Sequence, residues 1–151
     1  MRGRFLIALT AILLLAAVER PIPVQTEAWV SRVIDGDTVV IRGGERVRYL
    51  GVDAPESGDC FGSEATAANR ILVEGKKARL IEDRQDRDRY GRLLRRVFVG
   101  KIDVSRELAR RGYARRLIIA PNTADATAVR AAEAAARRDK AGLWSACPPR
   151  P

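Results

Sequence analysis

Three observations predict an α+β domain built on a small β-barrel. β-Branched runs crowd the stretch from Trp29 to Asp53, two further runs, KKARLIE and RLLRRVFVG, flank a very polar loop, and helical spacings of Ala, Leu and Val follow. At 151 residues the chain has room for one ordinary domain with its own core, and it carries no internal repeat.

Taken in order, the first residues read as an address. Arg2 and Arg4 precede an apolar run from Phe5 to Val18, the length of a signal-peptide core and short of the ~20 residues that span a bilayer. Residues 1–28 are therefore expected to be an export signal, placing the protein outside the cell or in the periplasm. The alternative is an uncleaved anchor, the one case in which membrane contact is expected. The domain then runs from 29 to 147, with 148–151 a short tail. WVSRVIDGDTVVI and ERVRYLGV read as strands joined by the turn RGGE, with Gly43 and Gly44 at its tip. GSEATAANRILVEG suits a helix entered near Ser63 and stopped at Gly75. After the strands KKARLIE and RLLRRVFVG, DVSRELARRG reads as a helix capped by Asp103 or Ser105 and ended at Gly112. The alanine-rich TAVRAAEAAARRDKAG is the third and strongest helix.

Charge and composition narrow the chemistry. Lys and Arg number 28 against 19 Asp and Glu, for a formal charge of +9, which suits a polyanionic partner. Losing residues 1–28 removes three arginines and two glutamates, so the domain itself stays basic. The chain has no histidine, which excludes Ser-His-Asp and Cys-His nucleophiles, histidine acid–base pairs and His-dependent zinc sites. In an oxidising compartment Cys60 and Cys147 are expected to pair, a bond worth ~4 kcal/mol in the chain-entropy model.

Against that basic background the acids gather in one place. A hairpin centred on Gly43 and Gly44 brings Asp35 and Asp37, before its first strand, to the same end as Asp53 and Glu56, after its second. Four carboxylates are expected to converge there, with Arg48 nearby on a face that the register leaves open. Pro55 holds the DAPE segment extended and leaves the Ala54 carbonyl available. Clustered oxygens without His or Cys suit a hard cation such as Ca²⁺. Taken singly, Asp-Gly is a common turn and DRDRYGR a solvated loop.

In combination and in order, VIDGDTV, RYLGVDAPE, DRYGR and GLWS resemble the staphylococcal nuclease family over Val30 to Ser145. The resemblance implies a five-stranded OB-fold barrel with about three flanking helices. It also implies a Ca²⁺ cofactor and hydrolysis of DNA and RNA by water attack. By position, Asp37, Asp53 and the Ala54 carbonyl would hold the metal, Glu56 would be the candidate general base, and Arg48 and Arg92 would bind the phosphate. Arg89 and Tyr90 match positions that hold a terminal phosphate. No obligate protein partner is implied, and a monomer is expected.

The chain departs from the family pattern at Leu117, Ile118 and Ile119, where the best-known member has a pair of tyrosines for base stacking. Substrate binding is therefore expected to lean on charge, with Arg115 and Arg116 compensating. The competing reading is a basic OB-fold that binds nucleic acid without cutting it, to which a ring of carboxylates would be a hindrance.

Overall fold

The computed structural model describes residues 23–149. In chain order it holds β1 (Gln25–Val33), β2 (Thr38–Ile41), β3 (Arg46–Tyr49), β4 (Gly51–Asp53), α1 (Gly62–Val73), β5 (Lys77–Ile81), β6 (Leu93–Val99), β7 (Ile102–Asp103), α2 (Val104–Arg110), β8 (Arg115–Leu117), α3 (Ala126–Arg138) and α4 (Leu143–Ala146). Residues 1–22 of the expected export signal lie outside the described residues. Gln25–Ala28, the last four residues of that segment, form the start of β1 and pair with Ala78–Ile81 of β5.

Five strands close a barrel. β1 pairs antiparallel with β2 and β5, β2 with β3, and β5 with β6. The parallel pairing of β3 with β6 completes the ring. This is the five-stranded OB-type barrel and the α+β class that the sequence leads one to expect. Val30, Val39, Val47, Leu80 and Val97 fill it, each no more than 2 % exposed, because strand alternation sends every second residue inward. Within RVRY, Val47 and Tyr49 are buried, which turns Arg46 and Arg48 to the outer face.

Two expected strands are each broken in two. WVSRVIDGDTVVI bends at Ile34–Asp37, so its acids sit on the connection between β1 and β2. The bend is possible because Gly36 has no side chain: a Cβ there would lie 2.4 Å from the Ala54 Cβ and 2.9 Å from the Ala65 Cβ. ERVRYLGV breaks at Leu50, after which β4 leaves the barrel and pairs with β8, Asp53 opposite Arg115.

The three expected helices are present, and a fourth, single-turn α4 follows. Asp103 caps α2 by accepting from the Arg106 N–H at 3.1 Å. In α3, Val129, Ala132, Glu133 and Ala136 form the buried stripe. The Cys60–Cys147 disulfide, Cα–Cα 5.8 Å across 87 residues, ties the segment before α1 to the chain after α4. Among the described residues, no helix is long and apolar enough to cross a membrane.

Candidate active site

The site forms where the β1–β2 bend, the end of β3 and the end of β4 meet. Asp35 accepts the Asp37 N–H at 2.9 Å, closing the tight turn of IDGD. Asn69 of α1 holds the same bend, donating to the Asp35 carbonyl at 2.9 Å and accepting from the Tyr49 hydroxyl at 2.9 Å. Burial pushes the Tyr49 phenol well above its ordinary range, so it remains a neutral donor.

Asp37 is 5 % exposed. Its Oδ1 faces the Arg48 Nε at 3.1 Å and accepts from the Thr38 hydroxyl at 3.1 Å, while Oδ2 accepts from the Ala54 N–H at 2.7 Å. Desolvation nevertheless dominates: it raises the Asp37 pKa to about 6, against the opposing pull of Arg48 and the Ala54 N–H and with some help from Asp35.

Arg48 is the centre of the arrangement. Its Nη1 donates to the Tyr49 and Val52 carbonyls, both at 2.7 Å, and its Nη2 meets Asp53 Oδ1 at 3.2 Å. With Nε on Asp37, one guanidinium bridges both carboxylates and is locked in plane by the backbone. A planar, always-charged fork can do this and an ammonium cannot.

A second arginine is held from the polar loop. Asp88 accepts from the Arg92 Nε at 2.7 Å and from the backbone N–H groups of Tyr90 and Arg92 at 2.9 and 3.0 Å. Partial burial works against the Asp88 charge, but the Arg92 side chain and those two N–H groups outweigh it and hold the carboxyl below its usual range. Arg92 Nη1 reaches the Thr38 hydroxyl at 3.4 Å, next to Asp37. Arg89 donates to the Tyr90 hydroxyl at 2.6 Å, and the Arg92 guanidinium lies 5.5 Å from the Tyr90 ring.

Arg48, Arg89, Tyr90 and Arg92 line a cavity of about 390 Å³ whose lining also includes Leu117 and Ile119, 40 % and 63 % exposed. Glu56 lies outside this network. Its side chain is exposed, and among the described residues it makes no ion pair. Its backbone is fixed, however: the Glu56 carbonyl accepts from the Asp59 N–H at 2.9 Å, and a Cβ on Gly62 would stand 2.0 Å from that oxygen.

Of the four carboxylates expected to converge, Asp37 and Asp53 meet on Arg48, and Asp35 closes the bend on the Asp37 N–H. Among the described residues no three His, Cys, Asp or Glu side chains gather as a metal cage. The donor chemistry still fits a hard cation, since Asp37 and Asp53 present carboxylate oxygens with no His or Cys beside them.

Sequence reasoning missed Asp88 and Asn69. The spacing of Asp88 and Arg92, four residues apart around Gly91, was the available signal for the first; Asn69, inside a helical pattern, offered none.

The sequence has known relatives. A family model described as "Staphylococcal nuclease homologue" matches residues 46–146. A thermonuclease of Staphylococcus hyicus is 35% identical over 125 residues, 77% of this chain and 74% of the relative. Endonuclease YncB of Bacillus subtilis (strain 168) is 41% identical over 125 residues, 76% of this chain and 59% of the relative. A thermonuclease of Staphylococcus intermedius is 34% identical over 124 residues, 76% of this chain and 74% of its own length. With the barrel, the Asp37–Arg48–Asp53 bridge and these matches agreeing, the chain belongs to the staphylococcal nuclease homologue family.

Proposed function

We propose that this nuclease is exported and hydrolyses DNA and RNA in a Ca²⁺-dependent reaction, with Glu56 as general base and Arg48 and Arg92 binding the scissile phosphate. The observation that carries this reading is the Arg48 guanidinium, fixed by two backbone carbonyls and set between two carboxylates at the mouth of the cavity.

Water attack makes a bond from the water oxygen to phosphorus, breaks the bond to the leaving ester oxygen and releases a proton. Glu56 is an exposed carboxylate three residues beyond Asp53 and suits that proton, directly or through a second water. Arg48 and Arg92 are held before substrate arrives, so they meet the shifting charge on the phosphate oxygens without reorganising. The leaving oxygen takes a proton from solvent. Asp37, Asp53 and the Ala54 carbonyl would hold Ca²⁺, which when bound supplies positive charge to a phosphate oxygen. Arg89 and Tyr90 flank the cavity where a terminal phosphate would rest.

Cleavage of end-labelled DNA and RNA with Ca²⁺ or with chelator tests the reading, alongside Asp53→Asn. The expected result is cutting in Ca²⁺ alone and a raised Ca²⁺ requirement in the variant. Cutting that is indifferent to chelator sinks the metal assignment; tight binding without cutting in any divalent metal sinks the catalytic one.

A further inference from the structure

Outside the cavity, the outer face of β1–β2–β3 carries arginines that pair with no carboxylate among the described residues, although Arg46 donates to the Tyr90 carbonyl at 3.3 Å. Val30, Val33, Val39, Ile41 and Val47 point into the barrel, which turns Trp29, Arg32, Val40, Arg42 and Arg46 outward. The register aligns Arg32, Val40 and Arg46 in one row across the three strands. Arg48, opposite Thr38, stands one row closer to the cavity. Arg42, whose N–H bonds the Trp29 carbonyl at 2.9 Å, stands one row farther away. Same-face rows on a strand are about 7 Å apart, so the path from Arg48 to Arg42 covers about 13 Å.

Among the described residues, Arg32, Arg42 and Arg46 form no ion pair with a carboxylate. The acids that border the face are already taken: Glu27 by Lys77 at 2.6 Å, Glu45 by Arg87 at 3.0 Å and Glu74 by Arg70 at 3.2 Å. Trp29 is 41 % exposed, with the Arg42 guanidinium 4.9 Å from its ring. Exposed arginines at strand-row spacing beside an aromatic platform match what a single-stranded polynucleotide offers, phosphates in a row and bases that stack. An anionic membrane surface would call instead for several apolar side chains, and among the described residues of these three strands Trp29 is the only large exposed one, with Ile34 just beyond β1.

We propose that the outer face of β1–β2–β3 is a second nucleic-acid-binding surface. It holds the single strand beyond the nucleotide being cut, with phosphates on Arg46, Arg32 and Arg42 and a base on Trp29. The identity of this polyanion rests on the nuclease reading, and the surface continues that site along β3.

The test measures binding in chelator, where cleavage does not interfere. A labelled oligothymidylate of about 20 nucleotides and a labelled dinucleotide are titrated against the protein and the Trp29→Ala/Arg32→Gln/Arg42→Gln variant, with thermal melts to verify folding. Affinity for the long strand should fall at least about ten-fold, and two lost phosphate contacts should flatten its salt slope by about 1.4. Arg32→Lys/Arg42→Lys should keep the slope. Loss confined to the long strand supports the surface. Unchanged long-strand affinity, equal loss for the dinucleotide, or a variant defect seen only with phosphatidylserine vesicles overturns it. These outcomes are separate from catalysis: a protein that binds through this face and cuts nothing refutes the nuclease mechanism alone, and one that cuts with unaltered variant binding refutes the surface alone.

Discussion

Replacing Gly36 with alanine probes how the acids are brought together. The new methyl carbon would stand 2.4 Å from the Ala54 Cβ and 2.9 Å from the Ala65 Cβ, where carbon atoms in contact prefer about 3.5–4.0 Å. The bend must therefore retreat by about 1 Å from both β4 and α1. Overpacking of this kind costs about 1–3 kcal/mol, and for a domain of this size each kcal/mol lowers Tm by about 4 °C. Thermal unfolding followed by circular dichroism should give a Tm about 4–12 °C lower. The same retreat stretches the 2.7 Å bond from the Ala54 N–H to Asp37, so cleavage should suffer at temperatures where the variant is still folded. Adding Ala54→Gly removes the closer of the two collisions and should restore a large part of the loss. A Tm within 1 °C of the parent, or a double variant no better than the single, would refute the close-approach argument.

Other changes test other contacts. Asp88→Asn keeps an acceptor for the loop but gives up a charge-assisted bond of about 1.5–3 kcal/mol to Arg92, so kcat should fall at least about ten-fold; a change under two-fold would detach Asp88 from the site. Because folding holds the Asp88 carboxyl below its ordinary value, its contribution is present above the unfolded pKa and lost as pH falls through the folded one. Acid unfolding should therefore begin at higher pH in the parent than can be explained without Asp88, and Asp88→Asn should flatten that edge. Reducing the Cys60–Cys147 bond should cost up to about 4 kcal/mol by the loop-entropy account, and an unshifted melt would show the closure to be idle. Leu117→Tyr/Ile119→Tyr supplies stacking worth about 1–3 kcal/mol per base; KM for single-stranded DNA should drop and its salt dependence soften, and no change would mean that bases do not reach that wall.

Spacing alone made much of this legible. Four residues of turn between two β-branched runs imply a hairpin, and the hairpin implies that Asp37, Arg48 and Asp53 share an end. The break at Leu50 was not legible, because β4 is recruited by β8, a strand of three residues far along the chain, and neither segment has a pattern of its own. Nor was the part played by Asp35: counting charges treats it as one more acid of the cluster, whereas its carboxylate closes an Asx turn on the Asp37 N–H. Likewise, reading Arg48 only as a phosphate ligand overlooked its work in the folded protein, where it holds two carboxylates together. The aromatic departures at Leu117 and Ile119 were visible in the sequence, and the structure places them in the lining of the same cavity as Tyr90 and Arg89.

The central claim is that Glu56 takes the proton from the attacking water, and kcat/KM in saturating Ca²⁺ tests it most directly, in the parent and in Glu56→Gln. The account predicts that the variant folds with the parent's Tm, keeps its affinity for single-stranded DNA and loses at least about a hundred-fold in kcat/KM. A variant that folds, binds and cuts within a few-fold of the parent would contradict it.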